Sequence, residues 1–241
     1  MSSETVIYRQ IPRPDPALVA ALRDIPVADL HDELNAVDRK SRLLSHAMRP
    51  VIEGVRIVGP AVTAFNTPGD NLMMHTALYV AQRGDVLVFS NGGQPNGSLW
   101  GDNASIQAKR VGVAGVVVDG PVRDTDGIRR QGVPVWASII SPTRPTKAMP
   151  GTVNLPISCG GVIVSPGDLI VADSDGVIVV PVGEALRIAE AARARIARDA
   201  RMHEKIVAGS TLFQEIGCEA ALQKLGAVIH DGAWSPASAG S

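Results

Sequence analysis

Residues 112–124 read GVAGVVVDGPVRD, and the first nine of them decide the fold. They are nearly all apolar and rich in β-branched valine, the composition of a strand covered on both faces. Just before them, residues 101–110 have the pattern of a helix. That helix follows the glycine-rich loop NGGQPNG (91–97) and a short buried strand, DVLVFS (85–90). On the other side, PVRDTDGIRRQG (121–132) is a loop leading into a short helix, and VPVWASII (133–140) is another strand. Strands alternating with short helices predict a layered α/β domain.

The pattern continues outward. In TPGDNLMMHTALYVAQRGD (67–85), Pro68-Gly69 breaks the chain and Asp70 is a good N-cap. Leu72, Met73, Thr76, Ala77 and Val80 form a helical stripe that Gly84 ends. VRIVGPAVTAFN (55–66) reads as a strand or a bent pair interrupted at Gly59-Pro60. Residues 16–36 read as two short helices, one marked by Ala17, Leu18, Ala20 and Leu22, the other by Val27, Leu30 and Leu34 after Pro26. Residues 142–160 are rich in proline and glycine and read as irregular structure or short strands. SPGDLIVADSDGVIVVP (165–181) predicts a β-hairpin with its turn at Asp173–Gly176. A long helix rich in alanine and arginine runs from Val182 to Ala208 and ends at Gly209. The expected division is an arm at 1–15, one domain at 16–230 and a disordered tail at 231–241.

A net charge of -1 lacks the basic footprint of a nucleic-acid surface. No apolar run approaches the roughly 20 residues of a membrane helix, and residues 1–15 lack the apolar core of a signal peptide. Cys159 and Cys218 have no metal-ligand or disulfide-framework spacing and read as reduced packing thiols, so a cytoplasmic location is expected.

The candidate chemistry lies in Gly101-Asp102-Asn103 and in Arg123-Asp124. Asp102 falls in the first turn of a helix, and Arg123 and Asp124 fall just past the C-terminal end of a buried strand, where ligands bind in layered α/β folds. A helix start suits a carboxylate, arginine matches a carboxylate or a developing enolate, and two aspartates suit magnesium or manganese. The same residues also fit an Arg–Asp ion pair closing a turn beside a plain acidic helix start. His75 follows Asp70 and Asn71 by about one turn. It reads either as a ligand contact or as a packing or surface histidine. The loop 91–97 matches neither nucleotide-binding glycine pattern, and Gly97-Ser98-Leu99-Trp100-Gly101 is not a nucleophile elbow. None of the five lysines is marked for Schiff-base chemistry, which tilts any carbon–carbon chemistry towards metal-stabilised enolates.

Asp102, twenty residues, then Arg123-Asp124 resembles the signature of the 4-hydroxy-4-methyl-2-oxoglutarate/4-carboxy-4-hydroxy-2-oxoadipate aldolases. Their family also holds the RNase E activity regulator A-like (RraA-like) proteins. YRQIPRPD (8–15), PGDNLMMH (68–75), GVAGVVVDGPVRD (112–124), PVWA (134–137) and PGDLIVADSDGVIVVP (166–181) resemble the family's blocks in order and spacing. The resemblance implies a swivelling β/β/α three-layer sandwich, a single domain with a long C-terminal helix. It also implies homo-oligomers, trimers or hexamers, with sites between subunits.

By the same resemblance, Asp124 holds a divalent metal, Mg2+ or Mn2+, directly, and Asp102 contacts it through water. Arg123 contacts the pyruvyl oxygens, and the backbone after Gly101, at Asn103 and Ala104, receives the substrate carboxylate. Asn71 and His75 contact substrate, and Asp199, with Glu204 as fallback, comes to the metal site from a neighbouring subunit. Asn103 and Ala104 stand where the family often has two apolar residues. The implied activity is cleavage of a 4-hydroxy-2-oxo acid to pyruvate and a second oxo-acid, with side decarboxylation of oxaloacetate. The small oxo-acid is the expected partner, with no nucleic acid and no membrane. The alternatives are a non-catalytic regulator of an RNA-degrading enzyme and a dedicated oxaloacetate decarboxylase.

Overall fold

The two apolar runs at the middle of the chain pair side by side, parallel, in a computed structural model that describes residues 4–234. In chain order the strands are β1 (Val6–Ile7), β2 (Arg49–Pro50), β3 (Ile57–Asn66), β4 (Val86–Ser90), β5 (Gly115–Val122), β6 (Val135–Ile140), β7 (Gly151–Val153), β8 (Ile157–Cys159), β9 (Val162–Val164), β10 (Leu169–Ala172) and β11 (Val177–Val180). The helices are α1 (Pro16–Leu22), α2 (Val27–Asp32), α3 (Ala36–Ser41), α4 (Leu72–Val80), α5 (Asp102–Val111), α6 (Thr125–Gln131), α7 (Ala185–Val207), α8 (Leu212–Glu215) and α9 (Cys218–Lys224).

The main sheet runs β1-β7-β3-β4-β5-β6-β2, and β3 to β6 are mutually parallel. Side chains alternate across it. Val62, Ala64, Leu87, Phe89, Val116 and Val118 face α4, α5 and α6 through Met73, Ala77, Ala104, Ala108 and Ile128. Ala61, Val86, Val88 and Val117 face a second β layer through Ile157, Cys159, Val164, Ile170 and Val179. The layers are therefore β, β and α, as expected from the resemblance. Because β4 is buried on both faces, its sequence shows no polar alternation. Full burial of each such valine or leucine contributes roughly 1.5–3 kcal/mol.

Several local expectations need correction. Gly59-Pro60 does not interrupt β3, which is continuous, but marks where its partner changes. Ile57–Pro60 pairs antiparallel with β10, and Ala61–Phe65 pairs parallel with β4. One strand thus serves both β layers. The helix after Asp70 ends at Val80, four residues before Gly84. A third short helix, α3, follows the two expected ones. Residues 142–160 meet the expectation of irregular structure or short strands, holding the three-residue strands β7 and β8 after an irregular stretch. The 165–181 hairpin forms with the expected turn, Asp173 N–H donating to Gly176 O at 3.0 Å. The long helix starts at Ala185 after one 3-10 turn, Val182–Glu184.

The chain divides into two compact units, Met1–Arg193 and Ala194–Ser241. In the first, the N-terminal arm is tied down by β1 on β7 and by Arg13, which grips the buried Asp85 carboxylate. In the second, Thr211 and Gln214 form a reciprocal capping box on α8, and Lys205 pairs with Glu215 at 2.9 Å. Of the expected tail, residues 235–241 lie outside the described residues. Both cysteines are free thiols, and burial, then the nearby Asp119 charge, pushes the Cys159 thiol up. Among the described residues no helix is long and apolar enough to cross a membrane.

Candidate active site

Because β3, β4, β5 and β6 are parallel, their C-terminal ends lie along one edge of the sheet, as the general rule for ligand sites in open α/β sheets requires. The segments that follow these four ends line one pocket of about 450 Å³. They bring Asn71 and His75, Ser98 and Trp100 to Ala104, Arg123 with Asp124, and Arg144 with Lys147 together.

The segment before α5 runs beside the end of β5. Trp100 bridges to Val122, Leu99 N–H donates to Pro121 O at 2.8 Å, and Arg123 N–H donates to Trp100 O at 3.0 Å. Trp100 is itself fixed, stacked on Phe89 and donating its indole N–H to Ser105 Oγ at 2.9 Å. This lashing sets Arg123 and Asp124 against the start of α5. A β-carbon at Gly101 would stand 2.9 Å from Asp124 Oδ2, so only glycine lets that carboxylate in so close. Likewise, a β-carbon at Gly127 on α6 would meet the Asp102 side chain at 2.5 Å.

Asp124 has φ +56°, a left-handed backbone that costs a non-glycine residue about 1–2 kcal/mol. Its side chain makes no capping bond to α6. It accepts from Arg123 Nε at 3.2 Å, and both side chains are about two-fifths exposed (38% and 40%). Such strain, with the carboxylate turned away from helix capping, fits a residue held for a ligand. Asp102 Oδ1 accepts from the Asn103 N–H at 2.7 Å.

The opposite wall begins with Asp70, which does more than cap a helix. The N-cap position is Asn71, and the Asp70 carboxylate accepts from Leu72 N–H and from three groups at 146–149. Asn71 is buried, and its Oδ1 has no hydrogen-bond donor among the described residues. A buried orphan acceptor costs about 1–3 kcal/mol unless a ligand or water supplies a donor. His75 is held below the ordinary histidine range by burial, then by the Lys147 charge, with Asp70 opposing. Both effects favour the neutral imidazole in the pocket.

Gly101, Asp102, Asn103, Ala104, Arg123, Asp124, Asn71 and His75, all singled out in the sequence, line the pocket together. Asp199 and Glu204 lie on α7 in the second unit, where Asp199 pairs with Arg195 at 3.7 Å. Arg144, Lys147, Ser98, Trp100 and Met74 escaped sequence reasoning. The signal for Arg144 and Lys147 was their place after β6, the same strand-end rule that found Arg123. Among the described residues no group of three or more His, Cys, Asp or Glu could hold a metal ion. The Asp102 and Asp124 carboxylates nevertheless could hold a hard cation, since magnesium keeps several waters and needs only one or two carboxylates.

A family model described as RraA-like, Aldolase/RraA, matches residues 27–179. The chain belongs to the RraA-like family. The RraA-like match spans every residue that lines the pocket. A Halalkalibacterium halodurans protein named "Putative 4-hydroxy-4-methyl-2-oxoglutarate aldolase" is 36% identical over 181 residues, 75% of this chain and 84% of that one. Streptomyces coelicolor RraAS2, described as an unusual member of the RNase ES inhibitor RraA protein family, is 32% identical. It superposes with TM-score 0.71 over 83% of this chain and 100% of that one. The RNA-processing inhibitor RraA from Thermus thermophilis is 30% identical, with TM-score 0.58 over 66% of this chain and 93% of that one.

Proposed function

We propose that the chain is a cytoplasmic, divalent-metal-dependent lyase that cleaves 4-hydroxy-4-methyl-2-oxoglutarate or 4-carboxy-4-hydroxy-2-oxoadipate to pyruvate and a second oxo-acid. One observation carries the reading: Asp102, Arg123 and Asp124 line a single pocket between the end of β5 and the start of α5. In the cleavage the C3–C4 bond breaks and its electron pair stays on C3 as a pyruvate enolate. The C4 hydroxyl gives up its proton and C4 becomes the carbonyl carbon of the second product. A proton added at C3 completes pyruvate.

Asp124 and Asp102 would hold magnesium or manganese, which supplies a Lewis acid where the enolate charge gathers. Arg123 sets its donor fork on the same pyruvyl oxygens, a preorganised charge that strengthens as the enolate forms. The substrate carboxylate lies at the positive end of α5, against the backbone at Asn103 and Ala104. The Asn103 N–H already turns to Asp102, so Ala104 is the stronger candidate donor. Asn71 Oδ1 accepts from the 4-hydroxyl, the donor that its burial demands. Arg144 and Lys147, on the other wall, receive the distal carboxylate that a 4-hydroxy-2-oxo diacid carries and pyruvate lacks. The same enolate chemistry allows side decarboxylation of oxaloacetate. We include assembly into trimers or hexamers in which Asp199 or Glu204 of one subunit completes its neighbour's site.

The test is pyruvate release, coupled to lactate dehydrogenase, after chelation and return of Mg2+ or Mn2+. Metal-dependent turnover of either hydroxy acid supports the aldolase, and oxaloacetate turnover alone points to a dedicated decarboxylase. No turnover of any of the three sinks the reading and leaves a non-catalytic regulator.

A further inference from the structure

Two walls of the pocket far apart in sequence meet on one buried carboxylate. Asp70 is 1% exposed. Its Oδ1 accepts from Leu72 N–H at 2.8 Å and so fixes the first turn of α4, next to Asn71 and one turn before His75. Its Oδ2 accepts from Thr146 Oγ1 at 2.7 Å, Ala148 N–H at 2.6 Å and Met149 N–H at 3.2 Å. The backbones join as well, Thr146 N–H donating to Gly69 O at 2.8 Å and Asn71 N–H to Thr146 O at 3.1 Å. Thr146 thus turns towards Asp70, while Arg144 and Lys147 on either side of it line the pocket. Burial pushes the Asp70 carboxyl up, but the four hydrogen bonds outweigh it and hold the group below the usual carboxylate range. The segment has no regular structure between Ser141 and Pro150, so side-chain anchoring must supply the rigidity that a helix or strand would otherwise give.

The other end of the pocket has its own fixings, although Thr143, next to Arg144, also accepts from Ser98 N–H at 3.0 Å and from Gly97 N–H at 3.1 Å in the turn that precedes Trp100. Arg123 and Asp124 are placed by Trp100 O and by the close packing at Gly101, and Asp70 touches none of these.

We propose that Asp70 is a positioning residue for substrate specificity. Through Thr146, Ala148 and Met149 it holds Arg144 and Lys147 where the distal carboxylate of a 2-oxo dicarboxylic acid binds, and it leaves the pyruvyl end alone. This rests on the reading of the pocket as an oxo-acid site. The consequence is a division of labour. The Arg123 end recognises what every 2-oxo acid shares, and the Asp70-anchored segment recognises what distinguishes a diacid.

Pyruvate and 2-oxoglutarate separate the two ends, since they share the 2-oxo acid group and differ by a carboxymethyl group. Each is titrated with Mg2+ into the whole wild-type protein, Asp70→Ala and Thr146→Val, and amide hydrogen exchange is followed over 146–149. Asp70→Ala should weaken 2-oxoglutarate by about tenfold or more, the loss of one well-placed charged contact, with pyruvate affinity within about twofold. The Ala148 and Met149 amides should exchange faster. Thr146→Val removes one bond, keeps the α4 anchor and should weaken 2-oxoglutarate by about threefold. It carries the test if Asp70→Ala does not fold. Equal weakening of both probes, or unchanged 2-oxoglutarate affinity, overturns the proposal while leaving the oxo-acid site intact. If the wild-type protein binds neither probe, the oxo-acid reading itself fails and this inference falls with it.

Discussion

Gly127 on α6 packs directly on the Asp102 side chain at the start of α5: a β-carbon at Gly127 would lie 2.5 Å from Asp102 Cβ. Non-bonded carbons do not sit that close, so alanine there must push α5 and α6 apart or rotate Asp102 out of the pocket. Gly127 lies inside a helix, where alanine is ordinarily favoured by about 1 kcal/mol. Gly127→Ala should therefore lower the melting temperature rather than raise it. It should also cut kcat/KM by about 10²-fold, the order expected for a displacement near 1 Å. A more stable, fully active variant would show that this packing does not place Asp102.

Arg123→Ala should reduce kcat by about 10²–10³-fold, because it removes charge stabilisation made chiefly in the transition state. Arg123→Lys should recover only part of that, since an ammonium lacks the planar fork. Steady-state kinetics on the hydroxy-acid substrate decide the matter. A change confined to KM would mean that Arg123 only binds.

Asp124→Gly separates stability from function. Glycine accepts φ +56° without strain, so the variant should keep its melting temperature or gain the equivalent of about 1 kcal/mol. Its turnover should no longer respond to added magnesium. A normal magnesium response would place the metal elsewhere.

His75 makes stability depend on pH. In the unfolded chain its pKa is near the ordinary value of about 6.5. In the folded chain it is lower, through burial first and the Lys147 charge second. Between the two values the unfolded state holds more protons, so stability falls as pH drops below about 6.5. His75→Gln removes this contribution. Melting curves at pH 7 and pH 5 should show the variant gaining on the wild type at the lower pH. An unchanged difference would mean that His75 titrates alike in both states.

Legibility from sequence followed local chemistry. Asp102, Arg123 and Asp124 were recognisable because a helix start and a strand end are written in neighbouring residues. Arg144 and Lys147 were not, because the segment holding them has no period of its own. It is fixed by Asp70, 76 residues away from Thr146 in sequence, and by the 97–98 turn, which bonds to Ser141 and Thr143. Glycine disfavours a helix interior such as that at Gly127, and only the approach of α6 to α5 gives it a purpose. At β3 the visible Gly-Pro suggested a break, whereas a second sheet partner keeps the strand continuous.

By itself, the sequence determined the alternation of strands and helices, the burial of β4 and β5, the family, and the acidic and cationic pair at the end of β5. Those follow from side-chain volume, polarity and backbone preference within a few residues. The tertiary structure alone decided that four strand ends share one pocket, that Asn71 Oδ1 lacks a donor among the described residues, and that one buried carboxylate ties α4 to the segment bearing Arg144 and Lys147. Such contacts between distant segments depend on how layers pack, and packing is a property of the whole chain.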